Sequence, residues 1–234
     1  MNEQPVAIIT AASRGIGAAC ARELAGRGYR VGLLARSPEV QDLARELGGV
    51  GWVGSVASVE GLEGVVRTTL EAFGRIDGVV NNTGHPARGE LLEISDADWH
   101  AGLDLLLLNV VRMARLVTPI MERQGGGAMV NISTFGAVEP DAGFPVSSTL
   151  RAGLSAFTKL YAERYGRVGI RMNNVLPGFI DNYAASEERL QASPLRRQGT
   201  LAELGRTVAF LLSADAGYIT GQNVRVDGGL TRSF

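Results

Sequence analysis

Val6-Ala7-Ile8-Ile9-Thr10 runs directly into Ala11-Ala12-Ser13-Arg14-Gly15-Ile16-Gly17, after which apolar residues recur at Ile16, Ala19, Cys20 and Leu24. A short continuous apolar run, a turn of small residues and a 3.6-residue period spell a buried strand, a tight turn and a helix. The same unit recurs along the chain. Residues 31–35, 49–53, 78–81, 128–132, 170–176 and 223–226 read as further strands. Helical periodicity covers 40–47, 58–73, 146–165 and 201–212, and a long helix is expected from Ser95 to about Arg123. Ser95-Asp96-Ala97-Asp98 opens it with a hydroxyl followed three residues on by a carboxylate, the spacing of a capping box. Strands this apolar, alternating with helices, bury both sheet faces only in an α/β, three-layer arrangement: a doubly wound parallel sheet of about seven strands. No linker, repeat or low-complexity tract interrupts the pattern, so residues 1–234 read as one domain.

Composition narrows the function. The 234 residues carry 23 basic and 24 acidic side chains, and a net charge of -1 gives no electrostatic reason for a nucleic-acid or membrane-surface partner. No apolar run approaches the ~18 residues of a membrane span. Met1-Asn2-Glu3-Gln4-Pro5 lacks the basic start of a secretory leader, and the lone Cys20 has no disulfide partner, so a cytoplasmic setting is expected. One cysteine and two distant histidines cannot supply a zinc site. Of the 23 basic residues only Lys159 is lysine.

In a doubly wound sheet, ligands bind beyond the carboxyl ends of the strands. At the first such end, Gly15 and Gly17 lie between strand and helix, where free backbone N–H groups and the helix dipole favour a pyrophosphate. The second strand ends in Arg36 with no carboxylate for a ribose 2′-OH. Arg36 and Arg14 instead suit a 2′-phosphate, which predicts NADP(H) in preference to NAD(H). The alternative is that Arg36 is a solvated side chain in an arginine-rich protein.

At this point the sequence resembles the classical short-chain dehydrogenases/reductases over nearly its whole length. Residues 10–17 are similar to the family's Thr-Gly-x-x-x-Gly-x-Gly turn, with Ala11 for its first glycine. Asn81-Asn82-Thr83-Gly84 resembles Asn-Asn-Ala-Gly, Asn109 the active-site asparagine, and Asn131-Ile132-Ser133-Thr134 the Asn-x-Ser-Ser stretch. Residues 174–180 and 220–229 resemble the two C-terminal motifs. The resemblance implies a three-layer Rossmann-type fold and a nicotinamide cofactor held by Thr10, Ser13, Arg14, Gly15, Ile16 and Gly17, with Asn82, Thr83 and Gly84 beside the ribose. Pro177, Gly178, Ile180 and Asn182 would flank the nicotinamide, and a homo-oligomer, tetramer or dimer, is implied. Asn182 replaces a threonine, and Ser55 replaces an aspartate that meets the adenine.

The catalytic helix departs from the pattern. The family's Tyr-x-x-x-Lys begins thirteen residues past its catalytic serine; counted from Thr134, that reaches Ser147 and Arg151. Positions i and i+4 share a helix face, so the two can meet. Serine is far less acidic than tyrosine, and arginine keeps its proton, so this pair offers a hydrogen bond and a permanent charge but no ready general acid. His85 is the outside candidate for the proton, since histidine titrates near neutrality, although a loop histidine without a role is the plainer reading. Tyr183 is a candidate to close over the ligand, His100 reads as packing or surface, and Glu139 and Asp141 read as solvated acids near the cleft.

These readings predict an NADP(H)-dependent oxidoreductase acting on a small carbonyl or alcohol substrate through Asn109, Thr134, Ser147 and Arg151. One alternative is an NADP(H)-binding sensor or subunit without turnover. Another is non-redox chemistry on the same fold, as in the halohydrin dehalogenases, which have arginine in place of the lysine.

Overall fold

The computed structural model describes residues 4–233; residues 1–3, most of the stretch read above for a leader, and residue 234 lie outside it. Strands β1 (Val6–Thr10), β2 (Arg30–Ala35), β3 (Val50–Val53), β4 (Gly78–Asn81), β5 (Gly127–Ile132), β6 (Ile170–Pro177) and β7 (Asn223–Val226) form one parallel sheet ordered β3-β2-β1-β4-β5-β6-β7. The order reverses between β1 and β4, and there the switch-point cleft opens. Helices α1 (Gly15–Gly26), α2 (Glu39–Glu46) and α8 (Leu201–Leu212) cover one face; α3 (Val59–Phe73), α5 (Asn109–Gln124) and α6 (Pro145–Tyr165) cover the other.

Neighbouring strand residues serve opposite faces. Ile9, Leu33 and Val130 pack under α1 and α8, whereas Ile8, Leu34 and Met129 pack under α3 and α5, all almost fully buried. This is why the strands read as continuous apolar runs rather than alternating ones.

Two details of the expected helix from Ser95 differ. It is divided into α4 (Asp96–Leu103), a π turn (Asp104–Leu108) and α5, so that Asn109 follows directly on the extra residue of the π turn. The capping box is also incomplete. Ser95 Oγ accepts from the Asp98 backbone, but the Asp98 carboxylate takes the Ser95 hydroxyl rather than its N–H; aspartate is one methylene shorter than the usual glutamate. The complete box is at Thr200–Glu203, before α8. Helix α7 (Glu187–Ala192), in the loop after β6, was not expected from periodicity.

Four asparagines stand in register across the carboxyl half of the sheet: Asn81, Asn131, Asn174 and Asn223. Asn81 Nδ2 donates to Asn131 Oδ1 at 2.9 Å, Asn131 Nδ2 to Asn174 Oδ1 at 2.9 Å, and Asn174 Nδ2 to Asn223 Oδ1 at 2.8 Å. Thr158, on α6, accepts from Asn131 and donates to Asn174, tying the helix to the ladder. Asn131, Asn174 and Thr158 are fully buried, so each lost bond leaves an amide or hydroxyl unpaired. Replacing Asn131 by alanine is expected to lower unfolding stability by about 2–4 kcal/mol. Chemical denaturation checks this, and a loss below about 1 kcal/mol would show that the ladder is not cooperative.

Candidate active site

The phosphate turn is built by backbone strain and close approach. Ala11 and Gly15 both adopt left-handed conformations, with φ of 47° and 56°. For Ala11 this costs about 1 kcal/mol that the family's usual glycine would not incur. Gly17 packs against the turn so tightly that a Cβ would lie 2.3 Å from the Ala11 carbonyl oxygen. Helices α3, α4, α7 and α8 each begin on a serine or threonine whose hydroxyl caps a backbone N–H. Helix α1 begins on Arg14 with no side-chain cap and no acid in its first turn. Its N-terminal N–H groups point toward the strand ends, where an anion would take them.

Thr10 and Asn82 serve the turn through the backbone. The Thr10 hydroxyl donates to the Asn82 carbonyl at 2.6 Å and accepts from its N–H at 2.9 Å, while Asn82 Nδ2 donates to the Ala11 carbonyl. Together they clasp the ends of β1 and β4. Ser13 and Ile16 follow in the turn, with Ile16 packed on the core under α1. Gly84 leaves open space above the end of β4. Arg14 and Arg36 are both exposed, and neither is in an ion pair among the described residues. Ser55 is used locally, accepting from the Ala57 N–H.

Across the cleft, Pro177 ends β6, and Gly178 lies so close to Asp227 that a Cβ would meet its backbone at 2.8 Å. Ile180 is buried on the α8 side. Asn182 reaches over the phosphate turn: its Oδ1 lies 2.4 Å from where a Gly15 Cβ would be, so a side chain at residue 15 would displace it.

The end of β5 gathers the chemical groups. Thr134 follows Ser133 there, and Ser147 lies near the start of α6. One turn later Arg151 is buried, and its Nη1 donates to the carbonyl of Ile132, the last residue of β5. No acid faces it among the described residues; burial alone lowers its pKa to about 10, leaving it cationic at neutral pH. Arg151 Nε, Asn109 Oδ1, Ser133 Oγ and Thr83 Oγ1 are buried without hydrogen-bond partners. Buried polar atoms rarely remain unpaired, and these four belong to the sequence motifs that flank one cleft. With the uncapped helix and the glycine cradle, they fit a nicotinamide nucleotide and a polar substrate.

His85 lies exposed at the mouth, its ring 5.9 Å from that of Tyr183. Its pKa is lowered, chiefly by desolvation and then by the charges of Arg88 and Arg151. Gln198 Nε2 pins the Tyr183 loop, donating to the carbonyls of Ile180 and Tyr183. His100 is on the exposed surface, bonded to the Asp96 carbonyl. Glu139 accepts from the N–H groups of Ser233 and Arg232, which lower its pKa, and Asp141 accepts from Gly143. No group of acids, histidines and cysteine among the described residues could hold a metal ion.

Comparison with known proteins bears on the family and the fold. Residues 10–231 match the family described as enoyl-(acyl carrier protein) reductase. A 3-oxoacyl-[acyl-carrier-protein] reductase of Synechocystis is 36% identical over 238 residues, covering 96% of each chain. The short-chain reductase protein NovJ of Streptomyces niveus is 32% identical over 251 residues, covering 98% of this chain and 95% of NovJ. The crystal structure of L-sorbose reductase from Gluconobacter frateurii, complexed with NADPH and L-sorbose, superposes with a TM-score of 0.92 at 30% identity, covering 99% of this chain and 98% of that one.

A buried cation with no anion beside it is a stability cost. Arg151→Met is therefore expected to raise unfolding stability by about 1–3 kcal/mol in the absence of ligands, after allowing for the lost bond to Ile132. A fall in melting temperature would show that Arg151 is held mainly as a structural strut.

Proposed function

The chain belongs to the short-chain dehydrogenase/reductase family, and from that premise we propose that it works with NADP(H) and with Ser147 and Arg151 in the places of the family's tyrosine and lysine. It is an oxidoreductase acting between C=O and CH–OH, as its reductase relatives are named. The observation that carries the finer reading is the pairing of an uncapped helix behind a glycine turn with a buried, unopposed cation one helical turn from Ser147.

When bound, the nicotinamide supplies or accepts the hydride. The chain's own residues hold the carbonyl. Thr134 and Ser147 donate hydrogen bonds to its oxygen, and Arg151 places a fixed positive charge beside the oxyanion that develops. Asn109, freed at the π turn, lies at the same end of the cleft. Arg14, Ser13 and residues 15–17 would hold the phosphates, with Thr10 and Asn82 positioning that turn. Arg36 and Arg14 would meet a 2′-phosphate, which an exposed, unpaired guanidinium binds well. Thr83 and Gly84 would lie beside the ribose, and Pro177, Gly178, Ile180 and Asn182 beside the nicotinamide. The proton comes from water or from His85, because neither Ser147 nor Arg151 releases one near neutrality. The missing acid also favours a second reading, a nucleotide-binding protein without turnover, which a steady NADPH-dependent rate would eliminate.

A dimer or tetramer in the cytoplasm completes the proposal; the exposed Phe210, on α8, and the fully exposed Tyr218 support self-association. No helix among the described residues is long and apolar enough to cross a membrane.

Two experiments test the reading. Calorimetric titration should give tighter binding of NADPH than of NADH, and Arg36→Glu should weaken NADPH binding by about tenfold or more while affecting NADH little. Equal affinities would remove the NADP(H) preference. Converting the pair to the family's own, Ser147→Tyr with Arg151→Lys, should raise kcat by about tenfold or more by supplying a general acid. An unchanged or lower kcat would mean that the cleft is shaped around the native pair.

A further inference from the structure

Charge and aromatic surface are unevenly distributed around the cleft. Arg151 is buried with no acid facing it. Burial, and then the charges of Arg88 and Arg151, lower the pKa of His85, on the loop that carries Arg88. The Arg88 guanidinium carbon stands 4.6 Å over the ring of Phe144, three residues before Ser147. Phe135, next to Thr134, meets Phe179 edge-on at 5.8 Å, and Arg189 stacks on the far member of that pair at 5.4 Å. Neither Arg88 nor Arg189 is in an ion pair among the described residues. The acids nearest Thr134 in the chain are engaged elsewhere: Glu139 holds the backbone of residues 232–233, and Asp141 holds Gly143. Glu90, Glu93, Glu187 and Glu188 are exposed on the surrounding loops and α7.

Resting on the oxidoreductase reading, we propose that the substrate is a 2-oxo acid with an apolar or aromatic side chain. Its carbonyl oxygen meets Thr134 and Ser147, its carboxylate lies between Arg151 and Arg88, and its side chain lies against Phe135 and Phe179. The carboxylate belongs next to the carbonyl because Ser147 and Arg151 are one turn apart on a single helix face. A neutral ketone would leave Arg151 desolvated opposite no charge, whereas a carboxylate gives it the charge-assisted partner it lacks. The volume of the absent tyrosine ring makes room for this second group on the carbonyl carbon. In reduction, hydride from the reduced nicotinamide forms the new C–H bond, the C=O π pair moves to oxygen, and that oxygen takes a proton from water. The carboxylate is unchanged.

The test compares phenylpyruvate with its methyl ester, with NADPH, in the wild type and in Arg88→Gln and Arg88→Lys. The wild type should prefer the acid by about tenfold or more in kcat/KM. Arg88→Gln should erase most of that preference through KM, and Arg88→Lys should restore part of it. Binding of the unreactive 3-phenylpropanoate, followed by calorimetry with NADP present, should weaken in Arg88→Gln to the same extent. If the ester is reduced as well as the acid, the substrate class is wrong and the oxidoreductase reading stands. If neither compound nor a broad carbonyl panel is reduced, yet 3-phenylpropanoate binds in an Arg88-dependent way, the anion site stands and the redox reading falls. Absence of 3-phenylpropanoate binding overturns the proposal.

Discussion

The asparagine ladder decides where the reactive end of the sheet can be. A parallel sheet already satisfies its backbone, so four side-chain amides at one level, those of Asn81, Asn131 and Asn174 buried, add a second, cross-strand layer of hydrogen bonds. The layer fixes the relative heights of β4, β5, β6 and β7. Motif residues follow within a few positions of each rung: Asn82 to Gly84 after Asn81, Ser133 and Thr134 after Asn131, and Pro177 to Asn182 after Asn174. Through Thr158 the same layer holds α6, so Ser147 and Arg151 are placed against the end of β5 by bonds made two turns further down the helix. A slip of one residue in any of these strands would break the alignment of the rungs.

On this rigid frame the cleft carries features that oppose stability. Ala11 has a positive φ, the N-terminus of α1 is uncapped, and Arg151 is buried without an acid. The last two are costs that an anion would offset: phosphate at the turn, and an oxyanion or carboxylate at Arg151. Concentration of such costs in one cleft, amid a well-paired sheet, is the physical mark of a binding site.

Much of this was legible in the sequence. The strands come from apolar runs whose two-sided burial leaves no alternation, and β4, β7 and α8 begin and end where the pattern places them. The turn of residues 10–17 was legible as a strand-to-helix connection because its glycines lie directly after a strand. The ladder was not: each asparagine stood in the chain as part of a separate motif, and only register aligns them. Nor was the π turn at Asp104–Leu108, since an extra residue in a helix leaves the apolar stripe nearly intact. The box expected at Ser95 shows the limit of spacing rules, for a side chain one methylene short satisfies the spacing without making the second bond. Arg171, which donates to four carbonyls around the end of α8, was hidden among many other arginines.

If Ser147 and Arg151 stand in the places of the family's tyrosine and lysine, as proposed, more than acidity changes. A tyrosine and a lysine share one proton economy: the amine lowers the phenol's pKa, and both can exchange protons with water. Serine with arginine separates these roles. The guanidinium contributes charge that does not vary across the physiological range, and the hydroxyl contributes direction. In the proposed site the oxygen of the substrate would experience a constant field, and its proton would come from water or from His85. A site of this kind is suited to a substrate whose own charge matches the fixed cation, because binding and oxyanion stabilisation then draw on the same guanidinium.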